Sequence, residues 1–145
     1  MKRQFYLAII LFLLMVACGK EREPDAYVQT GEASYYGEYF RNKPTASGKP
    51  YSPDSLTAAH KYLPLGTVVK VTNLANDSTV LVTINDRGPY VKNRIIDLSV
   101  AAAKKLAMMD QGKAKVRVKV TKPAEGYTLM DSVASDRMDA YQRNH

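Results

Sequence analysis

The feature that most constrains this chain is a two-residue period. Val116, Val118 and Val120 alternate with Lys115, Arg117 and Lys119, and Val80, Val82 and Ile84 alternate with Leu81, Thr83 and Asn85. Alternation of this kind turns one face of a strand to a core and the other to water. Thr67 to Leu74 is rich in β-branched residues, and Asn73 to Ser78 supplies the turn that pairs it with the Val80 run. Gly31 to Tyr36 and Arg94 to Leu98 read as two further short strands, and Ser55 to His60 as a short turn. Ser99 suits the N-cap of a small Ala-rich helix, Val100 to Met108, with Gly112 as its stop signal. Many short strands with one or two short helices predict a mainly β fold closed into a barrel, because closure removes exposed edges.

The rest of the 145 residues flanks this domain. Lys2 and Arg3 precede an apolar run from Phe5 to Ala17. At about 1.5 Å per residue, such a run spans about 20 Å, short of a bilayer core of about 30 Å. That length suits a secretion signal. The run ends Leu14-Met15-Val16-Ala17-Cys18-Gly19, which resembles a bacterial lipobox with Cys18, the one cysteine of the chain, as the lipidated residue. Residues 1–17 therefore read as a lipoprotein signal, 18–30 as a lipid-anchored tether, 31–122 as the barrel and 123–145 as a polar tail. Acyl chains on Cys18 are expected to hold the protein to a membrane. Gly19 is not an inner-membrane retention aspartate, so the expected address is the outer membrane, facing the periplasm.

Charge narrows the partners. The chain carries 21 Lys and Arg against 14 Asp and Glu. A basic exported domain meets wall polymers bearing carboxylates and phosphates rather than nucleic acid. One cysteine and two histidines exclude a Cys-rich or His-rich metal cage, and no feature asks for a metal or an organic cofactor. Asp86 ends the Val80 run just before Arg87-Gly88-Pro89. It either handles a proton or accepts the hydrogen bonds that pin the turn. His60 is the one histidine of the folded part, able to relay a proton or bind a sugar hydroxyl. Asp97, between apolar neighbours, reads as a buried structural acid or a site residue, and Asp54 as a solvated loop acid or a cap. Tyr35, Tyr36, Tyr39, Phe40, Tyr51, Tyr62 and Tyr90 are dense for a chain without tryptophan, and tyrosine offers a pyranose both a flat face and a hydroxyl. Tyr36, Tyr90, Asn85 and Arg87 are the expected substrate-binding residues.

Three blocks then occur in order: Gly31-Glu32-Ala33-Ser34-Tyr35-Tyr36-Gly37; Thr45-Ala46-Ser47-Gly48 with Leu56-Thr57-Ala58-Ala59-His60 and Leu63-Pro64-Leu65-Gly66-Thr67; and Ile84-Asn85-Asp86-Arg87-Gly88-Pro89-Tyr90 with Ile95-Ile96-Asp97-Leu98-Ser99. Together, over roughly Gly31 to Thr121, they resemble the rare lipoprotein A family of bacterial envelope proteins. The resemblance implies a six-stranded double-psi β-barrel. It also implies an endolytic transglycosylase that cleaves naked peptidoglycan glycan strands after N-acetylmuramic acid and leaves a 1,6-anhydro end. Asp86 and His60 are the expected catalytic pair. The expected partners are glycan strands, the membrane through the lipid, and cell-division or other envelope proteins. Many members of the family carry a C-terminal glycan-binding repeat domain, which this chain is expected to lack.

The chain departs from the family pattern at two positions. Lys49 stands where the pattern has Glu, and Ser52 where it has Asp, with the spacing to His60 intact. A lysine cannot serve as a carboxylic acid. Either Asp54 or Asp86 takes over, or the activity is weak, or the barrel is a non-catalytic or expansin-like binder of peptidoglycan.

Overall fold

The computed structural model describes residues 27–128 and Asp131. Cys18, the signal segment, and most of the tether and of the polar tail lie outside the described residues. Six strands, β1 (Val28–Tyr35), β2 (Thr57–His60), β3 (Val68–Asn73), β4 (Thr79–Asp86), β5 (Arg94–Leu98) and β6 (Ala114–Lys122), close into a barrel in the order β1-β5-β2-β4-β3-β6. The pairs β1–β5 and β2–β4 run parallel and the other four antiparallel. Among the described residues, an α-helix, α1 (Val100–Lys105), and a 3-10 turn (Glu38–Phe40) join the strands.

The barrel closes because the period-two valines meet inside it. Val69, Val71, Val80, Val82, Ile84, Val116, Val118 and Val120 are buried in one cluster with Ile96, Leu98, Leu106 and Met108. Lys70, Leu81, Lys115 and Arg117 face out from the same strands. Each fully buried aliphatic side chain contributes roughly 1.5–3 kcal/mol. Gly31 is required by contact: a Cβ there would lie 2.6 Å from Cγ2 of Ile95, where the β1–β5 register shifts.

Three boundaries differ from the sequence reading, each for a tertiary reason. β1 begins at Val28, inside the segment read as tether, because the nine-residue β6 offers partners to Val28, Gln29 and Thr30. Tyr27 is buried ahead of it. Residues 57–60, read as a turn, form β2; paired on both edges and buried at Ala58, Ala59 and His60, this strand shows no alternation. The helix is capped by Ser99, whose Oγ accepts from Ala102 N, but ends at Lys105 rather than Met108. The Nδ2 groups of Asn73 and Asn76 donate to the Leu106 carbonyl at 2.9 and 3.1 Å, and Ala107 turns out at φ 50°.

Candidate functional site

Asp86 lies where four backbone segments converge. The register pairs Ala59 of β2 with Asp86 on one side and with Asp97 on the other. An irregularity between Ala58 and Ala59 takes Asp86 out of the inward series of Val80, Val82 and Ile84. A loop held by Tyr51 N donating to Lys43 O, and by Thr45 Oγ1 donating to Lys49 O, folds against the strand end. Ser47 N donates to the Asn85 carbonyl at 3.0 Å, so the Asn85 backbone anchors this loop. Asp86 Oδ1 accepts from Ala46 N at 2.9 Å and Arg87 N at 2.8 Å, and its Oδ2 accepts from Tyr36 Oη at 3.3 Å. No ion pair joins Asp86 to Arg87 among the described residues.

This carboxylate opens onto a notch of about 30 Å³ walled by Tyr36, Phe40, Lys43, Thr45 and Tyr51. That space seats a hydroxyl or a water, not a whole sugar ring. Tyr36 packs at 5.5 Å from the Phe40 ring and 5.4 Å from the Tyr51 ring, while Lys43 Nζ lies 3.6 Å over the Tyr39 ring. Burial, then the charges of Asp86 and Asp97, push the Tyr36 phenol well up, so it remains a donor at any physiological pH. Asp54 is an exposed partner of Arg41 at 3.0 Å.

Asp97 is buried and pairs with Arg94 at 2.9 Å. Burial pushes its carboxyl up, against the pull of Arg94. Its Oδ1 and Arg94 Nε have no partner among the described residues.

His60 is placed differently from the expectation of a proton relay. It is 1% exposed. Its Nδ1 accepts from Tyr62 N at 3.2 Å and Leu63 N at 3.1 Å, so Nε2 carries the proton and donates to Gln29 Oε1 at 3.1 Å. Burial, then the charges of Arg87 and Lys61, lower its pKa to about 3, and the ring is neutral. Both ring nitrogens are engaged by protein partners in this arrangement, while the ring itself lines the cavity described next. The half-buried Arg87 braces this region through its Nη1, which donates to the carbonyls of His60 and Leu63 at 3.1 and 2.8 Å.

His60 lines a second depression, about 260 Å³, together with Gln29, Lys61, Tyr62, Lys92 and Arg94. A shallower hollow of about 290 Å³ adjoins it between Lys61, Tyr62 and the exposed Tyr90. The structure thus brings Tyr36 to Asp86, and sets Tyr90 by the other opening. The notch and this cavity share no lining residue. Gln29, Lys61 and Lys92 were not singled out from the sequence, since a polar residue in an apparent tether and scattered lysines carry no local signal.

The closed barrel with two parallel strand pairs, bearing a donor-anchored carboxylate in an aromatic notch, is a double-psi β-barrel. Residues 28–118 match the family model described as lytic transglycolase, and the chain belongs to that family. It is 53% identical over 90 residues to the endolytic peptidoglycan transglycosylase RlpA of Campylobacter jejuni, covering 62% of this chain and 33% of that one. It is 45% identical over 124 residues to a probable endolytic peptidoglycan transglycosylase RlpA of Treponema pallidum, covering 84% and 37%. The chain spans about a third of the length of these curated relatives. Among solved structures, the Streptomyces papain inhibitor matches with a TM-score of 0.56 at 28% identity, covering 66% of this chain and 96% of that one. An expansin of Clavibacter michiganensis matches with a TM-score of 0.52 at 20% identity, covering 70% and 54%, which is a likeness of fold.

Proposed function

We propose that this chain acts on peptidoglycan glycan strands as an endolytic transglycosylase, with Asp86 as its proton-handling group. The observation that carries the reading is the Asp86 carboxylate, fixed by two backbone amides and the Tyr36 phenol at the mouth of an aromatic notch. Family membership and the names of the relatives support it. In the reaction, the C1–O4 bond after N-acetylmuramic acid breaks as O6 of the same sugar bonds to C1. The C6 hydroxyl loses one proton and the departing O4 gains one, so a single positioned carboxyl can move it and no water is consumed. Tyr36 orients that carboxyl and Tyr39 and Phe40 offer flat faces beside it. Lipid attachment at Cys18 and an outer-membrane address belong to the same proposal.

The test is mass spectrometry of the soluble products after incubation with peptide-free glycan. Anhydro-ended fragments that vanish with Asp86→Asn support the reading; fragments released equally by that variant overturn the role of Asp86. A second reading, binding without cleavage, is favoured by Lys49 and Ser52 at positions where the family pattern has acids, and by the enclosure of His60. It predicts retention on sacculi with no new ends.

A further inference from the structure

The depression at the His60 end is chemically one-sided. Neither it nor the adjoining hollow has an acidic residue in its lining. Three cations do line it, and they differ in availability. Arg94 is neutralised by Asp97, whereas Lys61 and Lys92 form no ion pair among the described residues. The amide of Gln29 is oriented by its neighbours. Its Oε1 accepts from Tyr27 Oη at 2.7 Å and from His60 Nε2 at 3.1 Å, and its NH2 has no partner among the described residues. The orientation follows from the tautomer: because Nδ1 of His60 is held by two backbone N–H groups, Nε2 must donate, and the group facing it must be the amide oxygen. The two unpaired ammonium groups and the Gln29 NH2 are all donors, the amide of Asn93 lines the same cavity, and Tyr62 and Tyr90 stand at the rim.

We propose that this cavity is a carboxylate-binding subsite for the glycan strand, with Lys61, Lys92 and the Gln29 NH2 as its ligands and His60 as the positioning residue for Gln29. The inference rests on the function proposed above and deepens it by naming a chemical feature of the substrate. Wall glycan presents two carboxylates that meet this description: the lactyl group of muramic acid, free once the peptide is removed, and the acids of attached stem peptides. A pyranose lying on Tyr62 or Tyr90 brings an anionic substituent to the lysines.

The experiment uses the full chain and fluorescent glycan strands in three forms, with dissociation constants measured by anisotropy at low salt. These are peptide-free strands, the same strands with their carboxylates converted to amides, and peptide-bearing strands. Peptide-free strands are expected to bind about tenfold more tightly than amidated ones, the scale of two exposed charge contacts. The double variant Lys61→Gln, Lys92→Gln, surface changes that leave the core untouched, is expected to erase that difference. Gln29→Glu, which places a negative charge in the cavity, is expected to weaken peptide-free strands further than amidated ones. Tighter binding of peptide-free than peptide-bearing strands assigns the subsite to the lactyl carboxylate, and the reverse order to the stem peptide. Equal affinity for the charged and amidated strands overturns the subsite but leaves the glycan reading standing. Failure to bind any of the three overturns both.

Discussion

Asp86 and Asp97 flank Ala59 from the two strands paired with it, yet one meets solvent in the notch and the other is sealed against Arg94. The same substitution at the two positions should therefore report different things. Asp86→Asn keeps an oxygen for the two backbone amides and an amide group facing Tyr36. Its melting temperature should stay close to the parent, while release of anhydro ends falls by roughly 10²–10⁴, the range of one acid–base group. Parallel thermal melts and product analysis check both halves.

Asp97→Asn should instead unsettle the fold. It leaves the Arg94 guanidinium without its counter-charge, which costs roughly 2–3 kcal/mol; the 3–5 kcal/mol of a sealed pair is reduced because Arg94 keeps some contact with solvent. Urea titration measures this, and an unchanged midpoint would show that the pair contributes nothing to stability.

Tyr36→Phe removes the phenol donor from Asp86 and leaves the ring packing of Phe40 and Tyr51 in place. Stability should change by about 1 kcal/mol, the net value of one hydrogen bond. Product release should fall by more than that stability change explains, because the carboxyl loses one of its three anchors. A rate equal to the parent's would remove Tyr36 from the mechanism.

Stability should decline on acidification through a window set by His60. In the unfolded chain this imidazole takes a proton near pH 6.5, and in the folded protein not until about pH 3. Between those values the unfolded state holds more protons, so the contribution is complete above 6.5 and is lost progressively as pH falls toward 3. Asp97 acts with the opposite sign: its raised carboxyl favours the folded state at low pH and loses that effect as pH rises through its folded value. Urea midpoints from pH 7 to 4 should fall steadily in the parent and lose most of their slope in His60→Gln.

Thr67 is fully buried with a hydroxyl that has no partner among the described residues. Thr67→Val should raise stability by roughly 1 kcal/mol by replacing an unsatisfied polar group with a methyl. Leu98→Ala, in the centre of the core, should lower it by about 2–5 kcal/mol. Both are read from the same urea series.

Much of the barrel was legible because its strands bury one face. The valines of β4 and β6 show period two, β3 shows its β-branched run, and Ser99 shows its cap without any partner. β2 was not legible, because a strand flanked on both edges and buried at consecutive residues gives alanines no reason to alternate. The start of β1 was hidden for a related reason: Gln29 and Thr30 look like linker until β6 is alongside. At the site, Asp86 could be found from its place at a strand end and Tyr36 from its neighbour Tyr35, which takes the core side. The enclosure of His60 depends on Gln29, Tyr62 and Leu63, and the inward turn of Arg87 on the carbonyls it meets. These are long-range or loop contacts with no signature in local sequence.

The strand order has a consequence for how this molecule comes into being. β1, the first strand among the described residues, pairs only with β5 and β6, both of them distant in sequence. A nascent polypeptide emerging amino end first has no place to lodge that segment until Arg94 has appeared, and the ring stays open until Lys122. Non-local wiring of this kind slows folding. Premature release of the chain before its last strand should therefore leave β1 and β3 each without one of its two partners.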